Sequence, residues 1–280
     1  MTVPVPFSLL LPVYHRDDPD HLRSAFRSSV HEQTLRPDDV VVVRDGPVPA
    51  TLARALEEVV AGSPVPSRLL ELPRNVGLGP ALDAGLDACA HDVVARMDAD
   101  DLSLGHRFAV QVPLVADHDL VGAGLLEIGT GPDDVVGRRV PPTDPVEIAR
   151  YARFHDPFNH PTVVYRRSAV VAAGGYQDLP LMEDYWLFAR MIAAGARVAN
   201  VAEPLVLYRV GAGAYARRGG LRLLRSELAL QRHLRRSGFT SRAQWARNVA
   251  VRGGYRFVPA ALRRAAYRRL VATRAERPWA

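Results

Sequence analysis

The chain contains no lysine and a single cysteine, Cys89, among its 280 residues. One thiol cannot form an internal disulfide, so a reducing cytoplasm is the expected location. No apolar run approaches the roughly 20 residues of a membrane-spanning helix, and no basic segment precedes a sustained apolar core near the amino terminus. We therefore expect neither a transmembrane span nor a secretory signal. Because 48% of the residues are hydrophobic and 24% are charged, the composition excludes a disordered chain.

The net charge of +6 combines two parts of opposite sign. All 36 basic residues are arginine, and 17 of them lie from Arg217 onward against only two acids, Glu227 and Glu276, which gives this part a charge of +15. The preceding residues hold the other 19 arginines and 28 acids, for a charge of −9. Such asymmetry predicts a basic tail that binds polyanions, either lipid headgroups or nucleic acid. The alternative is that these arginines only form solvated helix faces.

Short apolar runs alternate with amphipathic segments in the first hundred residues, as in a parallel sheet with helical crossovers. The predicted strands are 7–13, 39–44, 67–71 and 92–97, and the predicted helices are 20–33, 50–61 and 80–90, the first capped by Asp20. The run Val40-Val-Val-Val43 suits a strand that is covered on both faces. These elements predict an α/β fold with a mostly parallel central sheet flanked by helices.

After Asp101 the pattern is less regular. Strands are predicted at 120–129, 161–165, 197–201 and 205–209, helices at 145–154, 168–173 and 184–194, and a turn-rich segment at 129–142. Beyond Gly219 only helical patterns remain, with one side formed by Leu221, Leu224, Leu228 and Leu230. We therefore expect one domain over residues 1–215 and an arginine-rich helical extension over residues 216–280 that packs on it.

A carboxylate cluster, Arg96-Met-Asp98-Ala-Asp100-Asp101, follows the fourth predicted strand. Ligands of open α/β sheets bind beyond the carboxyl ends of the strands, so these acids are expected to face a crevice. Carboxylate oxygens suit Mg²⁺ or Mn²⁺, which complete their shells with substrate phosphates and water. The alternative is an acidic turn that caps the next helix through Asp101 or Ser103.

The three preceding strand ends carry polar, aromatic or glycine residues: Tyr14, Asp45-Gly46-Pro47, and Arg74-Asn75-Val-Gly77-Leu-Gly79. A carboxylate such as Asp45 can accept a hydrogen bond from a nucleobase, an aromatic ring can stack on one, and Arg74 offers a planar set of donors. Each also has a structural explanation, because Asp-Gly is an ordinary turn pair and Tyr14 suits a core. Leu82 stands where a dinucleotide fingerprint needs its third glycine.

A second acidic pair, Glu183-Asp184, precedes a helical pattern. These acids either stabilise the helix amino terminus or include a catalytic base, since a carboxylate whose pKa is raised by its pocket is a useful base. The segment 154–161 contains Asn159 and His160 and is expected to form a polar loop on the substrate side. Its two histidines lack a third ligand for zinc.

Together these residues resemble glycosyltransferase family 2, the inverting nucleotide-sugar transferases of GT-A fold. The resemblance runs through Ser8-Leu-Leu-Leu-Pro-Val-Tyr14, the motifs at Asp45, Arg74 and Arg96, then Asn159-His160-Pro-Thr162, Gly174-Gly-Tyr176 and Glu183-Asp184. The later Tyr208-Arg209-Val-Gly211 and Tyr215-Ala-Arg217-Arg218-Gly-Gly220 resemble the branch of amylovoran-type exopolysaccharide and capsule glycosyltransferases. His15 departs from the asparagine that frequently follows the tyrosine of the first motif.

The resemblance implies a role for each matching residue. The nucleobase would lie beside Pro12, Tyr14, Asp45 and Arg74, and Asp98 would hold the ribose. Asp100, assisted by Asp101, would bind a Mg²⁺ or Mn²⁺ ion on the donor diphosphate, and Asp184 would be the general base. The residues that would close over the diphosphate or hold a phosphorylated acceptor are Arg209, Arg217 and Arg218.

The implied activity is single-displacement transfer of a sugar from a nucleotide-diphosphate donor, expected to be a UDP-sugar, to a hydroxyl of a saccharide acceptor. The acceptor is expected to be linked to polyprenyl diphosphate in exopolysaccharide, capsule or O-antigen synthesis, with the basic tail on the inner face of an anionic plasma membrane. One alternative is a nucleotidyltransferase that releases pyrophosphate from a nucleoside triphosphate. The other is a non-enzymatic polyanion-binding protein, although no recognised nucleic-acid motif accompanies the tail and we expect no nucleic-acid partner.

Overall fold

A computed structural model describes residues 5–210 and 221–253. The strands are β1 (Phe7–Tyr14), β2 (Asp39–Asp45), β3 (Ser67–Glu71), β4 (Val93–Arg96), β5 (Leu102–Ser103), β6 (Leu120–Ile128), β7 (Val135–Arg139), β8 (Val164–Arg166) and β9 (Val198–Arg209). The helices are α1 (Pro19–Phe26), α2 (Ala50–Ala61), α3 (Leu78–Ala88), α4 (Arg107–Leu114), α5 (Pro145–Tyr151), α6 (Arg167–Ala172), α7 (Glu183–Ala193), α8 (Leu221–Arg236) and α9 (Arg242–Asn248). π-Helical turns follow α1 and α9, and a 3₁₀ turn spans His160–Thr162.

All nine strands belong to one sheet in the order β3-β2-β1-β4-β8-β6-β9-β5, with β7 paired to β6. The four strands from β3 to β4 are mutually parallel, as predicted for the first hundred residues. β8 runs antiparallel to both of its neighbours, β4 and β6. The parallel carboxyl ends of β1, β2 and β4 therefore open on the same edge of the sheet.

The central strands are covered on both faces, as the valine run of β2 predicts. Val40 and Val42 pack with α1, α2 and α4 in one core, whereas Val41 and Val43 pack with α3 and α7 in the other. β1 alternates in the same way, because its successive side chains point to opposite faces. Two cores therefore fix the position of the strand ends that carry the polar residues.

The structure corrects several predicted elements. α1 is capped by Asp18, whose Oδ1 accepts hydrogen bonds from the backbone N–H groups of Asp20 and His21, and α1 ends at Phe26. The strands predicted at 197–201 and 205–209 are one continuous strand, β9, because a register shift against β6 accommodates Pro204. β7 lies inside the segment predicted as turn-rich, and neither β5 nor α4 was predicted.

The described part of the extension, residues 221–253, packs on the sheet domain through α8. Its buried stripe is Leu223, Ser226, Glu227, Leu230, Gln231 and Leu234. Of the predicted face, Leu230 is buried and Leu224 and Leu228 are half-buried, whereas the side chain of Leu221 lies outside the described part of the chain. Leu223, Leu230 and Leu234 contact the α7 cluster around Tyr185 and Trp186. The division of the chain at residues 215 and 216 stays a prediction, because this segment lies outside the described residues.

Polar contacts join the same extension to Arg153 and Phe154, just after α5. The Glu227 carboxylate, fully buried, accepts hydrogen bonds from Arg252 Nε at 2.6 Å and Nη2 at 2.9 Å. Arg252 Nη1 also donates to the Phe154 carbonyl at 2.9 Å, and Asn248 Nδ2 donates to the Arg153 carbonyl at 2.8 Å. Within the described ranges, no helix is both long and apolar enough to cross a membrane.

Candidate active site

A cleft of about 750 Å³ opens at the carboxyl ends of β1, β2 and β4. The predicted site residues that line it are Pro12, Tyr14, Asp45, Asp98, Asp100, Glu183 and Arg209. Tyr14 is exposed there rather than buried in a core. Arg74 is also exposed but does not line the cleft. The structure therefore brings together side chains from three strand ends, from α7 and from the end of β9.

Asp45 shapes one wall of the cleft. Its buried carboxylate accepts hydrogen bonds from Val76 N at 2.7 Å, Gly77 N at 3.0 Å and Asn75 Nδ2 at 2.8 Å. Gly46 adopts a φ of 82°, and a Cβ atom there would lie 2.3 Å from Asn75 N. The turn chemistry of Asp45-Gly46 thus holds residues 75–77 against the end of β2, while Asp45 still borders the cleft.

Asp98 is held by an arginine that sequence reasoning did not single out as functional. Arg96, at the end of β4, is fully buried, and its Nη1 donates to Asp98 Oδ2 at 2.8 Å while Nη2 donates to Oδ1. Arg107 of α4, also fully buried, donates from Nη2 to the Arg96 carbonyl at 2.7 Å. This two-point contact fixes the orientation of Asp98 at the cleft.

The three acids of the predicted cluster converge. Carboxylate oxygens of Asp98, Asp100 and Asp101 lie within 4.8 Å of one another. Burial and the charge of Asp98 raise the pKa of Asp100 to about 6, and burial with both neighbouring charges raises the pKa of Asp101 well above its usual value. Asp101 Oδ2 is buried and has no hydrogen-bond partner among the described residues. A divalent cation bound by these carboxylate oxygens would offset the repulsion among the three negative charges, so the three residues fit such an ion.

The helix-capping explanation of Asp101 is wrong. α4 begins after His106, which makes no capping bond with its side chain, and Ser103 lies in β5. Asp101 Oδ1 instead accepts a hydrogen bond from Arg209 N at 2.8 Å, and Arg209 Nε donates to the Asp100 carbonyl at 3.0 Å. The end of β9 is thereby attached to the acidic cluster. Arg217 and Arg218 lie outside the described residues.

Asp17 is a cleft residue that sequence reasoning missed. It lies just after β1, where its Oδ2 accepts a hydrogen bond from Tyr14 N at 2.8 Å. Burial raises the pKa of Asp17 to about 7, with further contributions from Asp100 and Asp98. The signal was available, since an acid directly after a strand end is the same feature that identified Asp45 and Asp98.

The second acidic pair lies in the first turn of α7, where Glu183 lines the cleft and Asp184 does not. Glu183 is buried against Gly79 and lines the cleft, and burial together with Asp184 raises its pKa to about 7. Asp184 is partly buried, with Oδ1 accepting from Tyr185 N at 2.7 Å and Oδ2 at 3.7 Å from His160 Nδ1. Burial raises the pKa of Asp184, partly offset by the Tyr185 N–H group and the charge of Arg96.

The two predicted residues of the polar loop are both buried. Asn159 Nδ2 donates to the Ala123 carbonyl of β6 at 2.9 Å, so this side chain holds the loop to the sheet. His160 lies against Asp184 on one side and against Tyr176 on the other, where its Nε2 is 2.9 Å from the tyrosine hydroxyl. The structure therefore places His160 beside the proposed base.

Comparison with known proteins gives consistent matches. The family model described as Glycosyl transferase family 2 matches residues 8–173. The amylovoran biosynthesis glycosyltransferase AmsE of Erwinia amylovora is 38% identical over 239 residues, which are 83% of this chain and 88% of that protein. The UDP-Gal:alpha-D-GlcNAc-diphosphoundecaprenol beta-1,3-galactosyltransferase of Escherichia coli is 30% identical over 269 residues, 95% of this chain and 96% of that protein.

A solved structure supports the same fold. The mannosyltransferase PcManGT from Pyrobaculum calidifontis, in complex with GDP-Man and Mn²⁺, aligns with a TM-score of 0.62 and 17% identity over 97% of this chain and 79% of that one. This likeness confirms the predicted GT-A fold, and the relatives confirm the resemblance to the amylovoran branch. The chain belongs to glycosyl transferase family 2 and is a glycosyltransferase.

Proposed function

We propose that this protein transfers a sugar from a nucleotide-diphosphate donor to a hydroxyl of a saccharide acceptor with inversion at the anomeric carbon. One observation carries the proposal: a single cleft is lined by Asp98 and Asp100, whose carboxylates converge with that of buried Asp101, and also by Glu183 of α7, which is followed directly by Asp184. Such a site can hold a donor diphosphate and supply a base on the acceptor side. No covalent intermediate is needed for a single displacement.

The donor would lie along the ends of β1, β2 and β4. Pro12, Tyr14 and Asp45 border the part of the cleft assigned to the nucleobase, with exposed Arg74 nearby, and Asp98 would hold the ribose through the carboxylate that Arg96 orients. We favour a UDP-sugar, since the Escherichia coli relative is named for UDP-Gal, although PcManGT was solved with GDP-Man.

Asp100 and Asp101 would hold a Mg²⁺ or Mn²⁺ ion. When bound, such an ion stabilises the negative charge that develops on the leaving diphosphate. Arg209 lines the same cleft and is anchored to the Asp100 carbonyl, so its guanidinium is placed to contact diphosphate oxygens. Arg217 and Arg218 are proposed to act with it.

Asp184 would be the general base. Its carboxylate would take the proton of an acceptor hydroxyl as that oxygen bonds to the anomeric carbon, while the bond from this carbon to the diphosphate oxygen breaks on the opposite face. The pKa of Asp184, raised by burial, brings its proton affinity closer to neutral pH. Glu183, Asn159 and His160 complete the acceptor side.

The acceptor is proposed to be a saccharide linked to polyprenyl diphosphate, in exopolysaccharide, capsule or O-antigen synthesis. The names of the two relatives support this assignment, since one refers to amylovoran and the other to a diphosphoundecaprenol acceptor. The arginine-rich extension would then contact anionic lipid at the inner face of the plasma membrane, where such an acceptor is presented. Three exposed arginines on the described helices suit a contact with anionic lipid: Arg232, Arg236 and Arg242.

The test is a donor screen with Mg²⁺ or Mn²⁺ that measures release of nucleoside diphosphate with and without a lipid-diphosphate saccharide acceptor. Asp184→Asn should bind donor normally and lower kcat by about 10²–10⁴-fold, the usual contribution of a general base. Asp100→Ala should abolish metal-dependent donor binding. Acceptor-dependent release that Asp184→Asn leaves intact would contradict the base, and pyrophosphate release from a nucleoside triphosphate would contradict the reaction class.

A further inference from the structure

His160 connects the proposed base to the interior of the protein. Its ring is buried, with Nδ1 at 3.7 Å from Asp184 Oδ2 and Nε2 at 2.9 Å from the Tyr176 hydroxyl. The edge of the ring packs against Phe188 of α7, with ring centroids 5.8 Å apart and planes at 79°. Both ring nitrogens therefore face a specific partner, and rotation of the ring is restricted.

The neighbours of His160 select one tautomer. Burial and the charge of Arg96 lower the pKa of His160 well below its usual value, so the ring is neutral and carries one N–H. If the proton lay on Nε2, the bare Nδ1 lone pair would face an ionised Asp184 carboxylate, which is repulsive. If Tyr176 donates to Nε2, the proton lies on Nδ1 and points at Asp184, which is favourable.

The hydroxyl groups of Tyr176 and Tyr165 can supply a proton donor to His160 Nε2, as this tautomer requires. Tyr165 of β8 places its hydroxyl 3.5 Å from that of Tyr176, so Tyr165 can donate to Tyr176 while Tyr176 donates to His160. Tyr176 is itself held in place, because its backbone N–H donates to Asp83 Oδ1 of α3 at 3.0 Å. The donors thus form an ordered series that ends at the acceptor-side carboxylate.

We infer that His160, held as the Nδ1–H tautomer by Tyr176, is a positioning residue that orients the Asp184 carboxylate toward the acceptor hydroxyl. The inference rests on the proposed role of Asp184 as base. The present 3.7 Å separation exceeds a hydrogen bond, but catalytic hydrogen bonds are often long without substrate and shorten in the reactive complex. His160 acts through Asp184 and does not itself take the acceptor proton.

Two amide variants separate the two ring nitrogens. His160→Asn keeps a donor near the position of Nδ1, whereas His160→Gln keeps a polar group near Nε2 and loses the donor toward Asp184. We expect His160→Gln to lower kcat by about 10-fold to 100-fold, the range for a hydrogen bond to a charged group, with the donor Kd unchanged. His160→Asn should retain clearly more activity per donor-binding site, and Tyr176→Phe should give an intermediate loss.

The pH profile supplies a readout that a merely structural histidine would not change. A donor to the ionised carboxylate lowers the pKa of the base, so its removal in His160→Gln should move the acid limb of kcat/KM to higher pH, and His160→Asn should not. The titratable and charged groups that also act on this region are Arg96, Asp98, Asp156, Tyr176 and Glu183. They are the same in both variants, so the difference reports His160.

Three controls separate a loss of the His160 interaction from misfolding and from a wrong assignment of the base: His118→Gln, a count of donor-binding sites, and Asp184→Asn. His118→Gln, at the end of α4 and away from the cleft, should match the unaltered protein in kcat. Active sites are counted by donor binding, so loss of folded protein does not count as loss of kcat. If Asp184→Asn shows its expected loss of kcat, equal kcat values for His160→Gln and His160→Asn would overturn the inference about His160. An Asp184→Asn variant with near-normal kcat would instead overturn the proposed role of Asp184 as the base.

Discussion

The buried ion pair between Glu227 and Arg252 should determine whether the described extension stays attached to the catalytic domain. Glu227 is fully buried, and only 21% of the Arg252 side chain is exposed. Arg252→Met removes both donors to Glu227 and the donor to the Phe154 carbonyl, leaving a carboxylate in the interior with Gln231 Nε2 as a remaining donor. Breaking a buried pair in this way costs about 3–5 kcal/mol.

The assay is urea unfolding followed by circular dichroism, with the variants compared at one pH and salt concentration. With a slope of about 2–3 kcal/mol per molar urea, Arg252→Met should lower the unfolding midpoint by roughly 1–2.5 M. The double variant Glu227→Leu with Arg252→Met should be more stable than Arg252→Met alone, because it also removes the buried carboxylate that has lost its Arg252 donors. Arg242→Met, an exposed arginine on α9, is the matched control and should change stability by less than about 0.5 kcal/mol.

Hydrogen exchange gives the location of the effect. In Arg252→Met, amides of α8, α9 and residues 153–156 should exchange faster than those of β1 and β2, since the contacts that are lost join the first group. A midpoint within 0.3 M of the unaltered protein, that is, less than about 1 kcal/mol, would refute the reasoning. So would a double variant whose destabilisation equals the sum of the two single changes.

Three further predictions concern the cleft. Gly46→Ala should displace residues 75–77 and raise the donor KM by about tenfold or more, as the loss of a hydrogen bond to a charged group does, whereas Gly131→Ala, where a Cβ meets nothing within 4 Å, should not. Burial raises the pKa of Glu183 to about 7, so the folded protein binds this proton more tightly than the unfolded chain does. The resulting stabilisation of the folded protein is complete below pH 4.5 and is lost as the pH rises through 7. Glu183→Gln should therefore remove about 3 kcal/mol of this pH dependence in urea titrations between pH 4.5 and 8. Asp101→Asn should reduce the rise in Tm caused by added Mn²⁺, and an unchanged rise would place the ion elsewhere.

Strong local patterns made much of the fold predictable. The bounds of α2 and β3 were predicted without error, since Pro49 and Gly62 mark the ends of α2, and Pro66 and Pro73 bracket the short segment that forms β3. The rule that ligands meet the carboxyl ends of parallel strands identified Asp45, Asp98 and Asp100 as neighbours, although they are far apart in sequence.

The elements that were missed depend on distant partners. β5 has two residues and exists because it pairs with β9, and α4 is short and contains Pro113, which weakens its pattern. The buried stripe of α8 was predicted only in part, at Leu230, because its centre is polar, with Glu227 and Gln231 buried by contacts to Arg252 and Asn248. A hydrophobic pattern cannot represent a buried polar group whose partners lie elsewhere in the chain.

The position of β8 has a consequence for how this protein is assembled on the ribosome. β3, β2, β1 and β4 all come from residues before 97 and can pair as soon as they emerge. The other edge of β4 stays unpaired until residues 164–166 arrive, and β6, although synthesised earlier, joins the sheet only through β8 and β9. A nascent chain that ends between these points exposes an open strand edge, which is the kind of surface that chaperones bind. Until residues 164–166 are available, the free edge of β4 is therefore open to pairing with another chain.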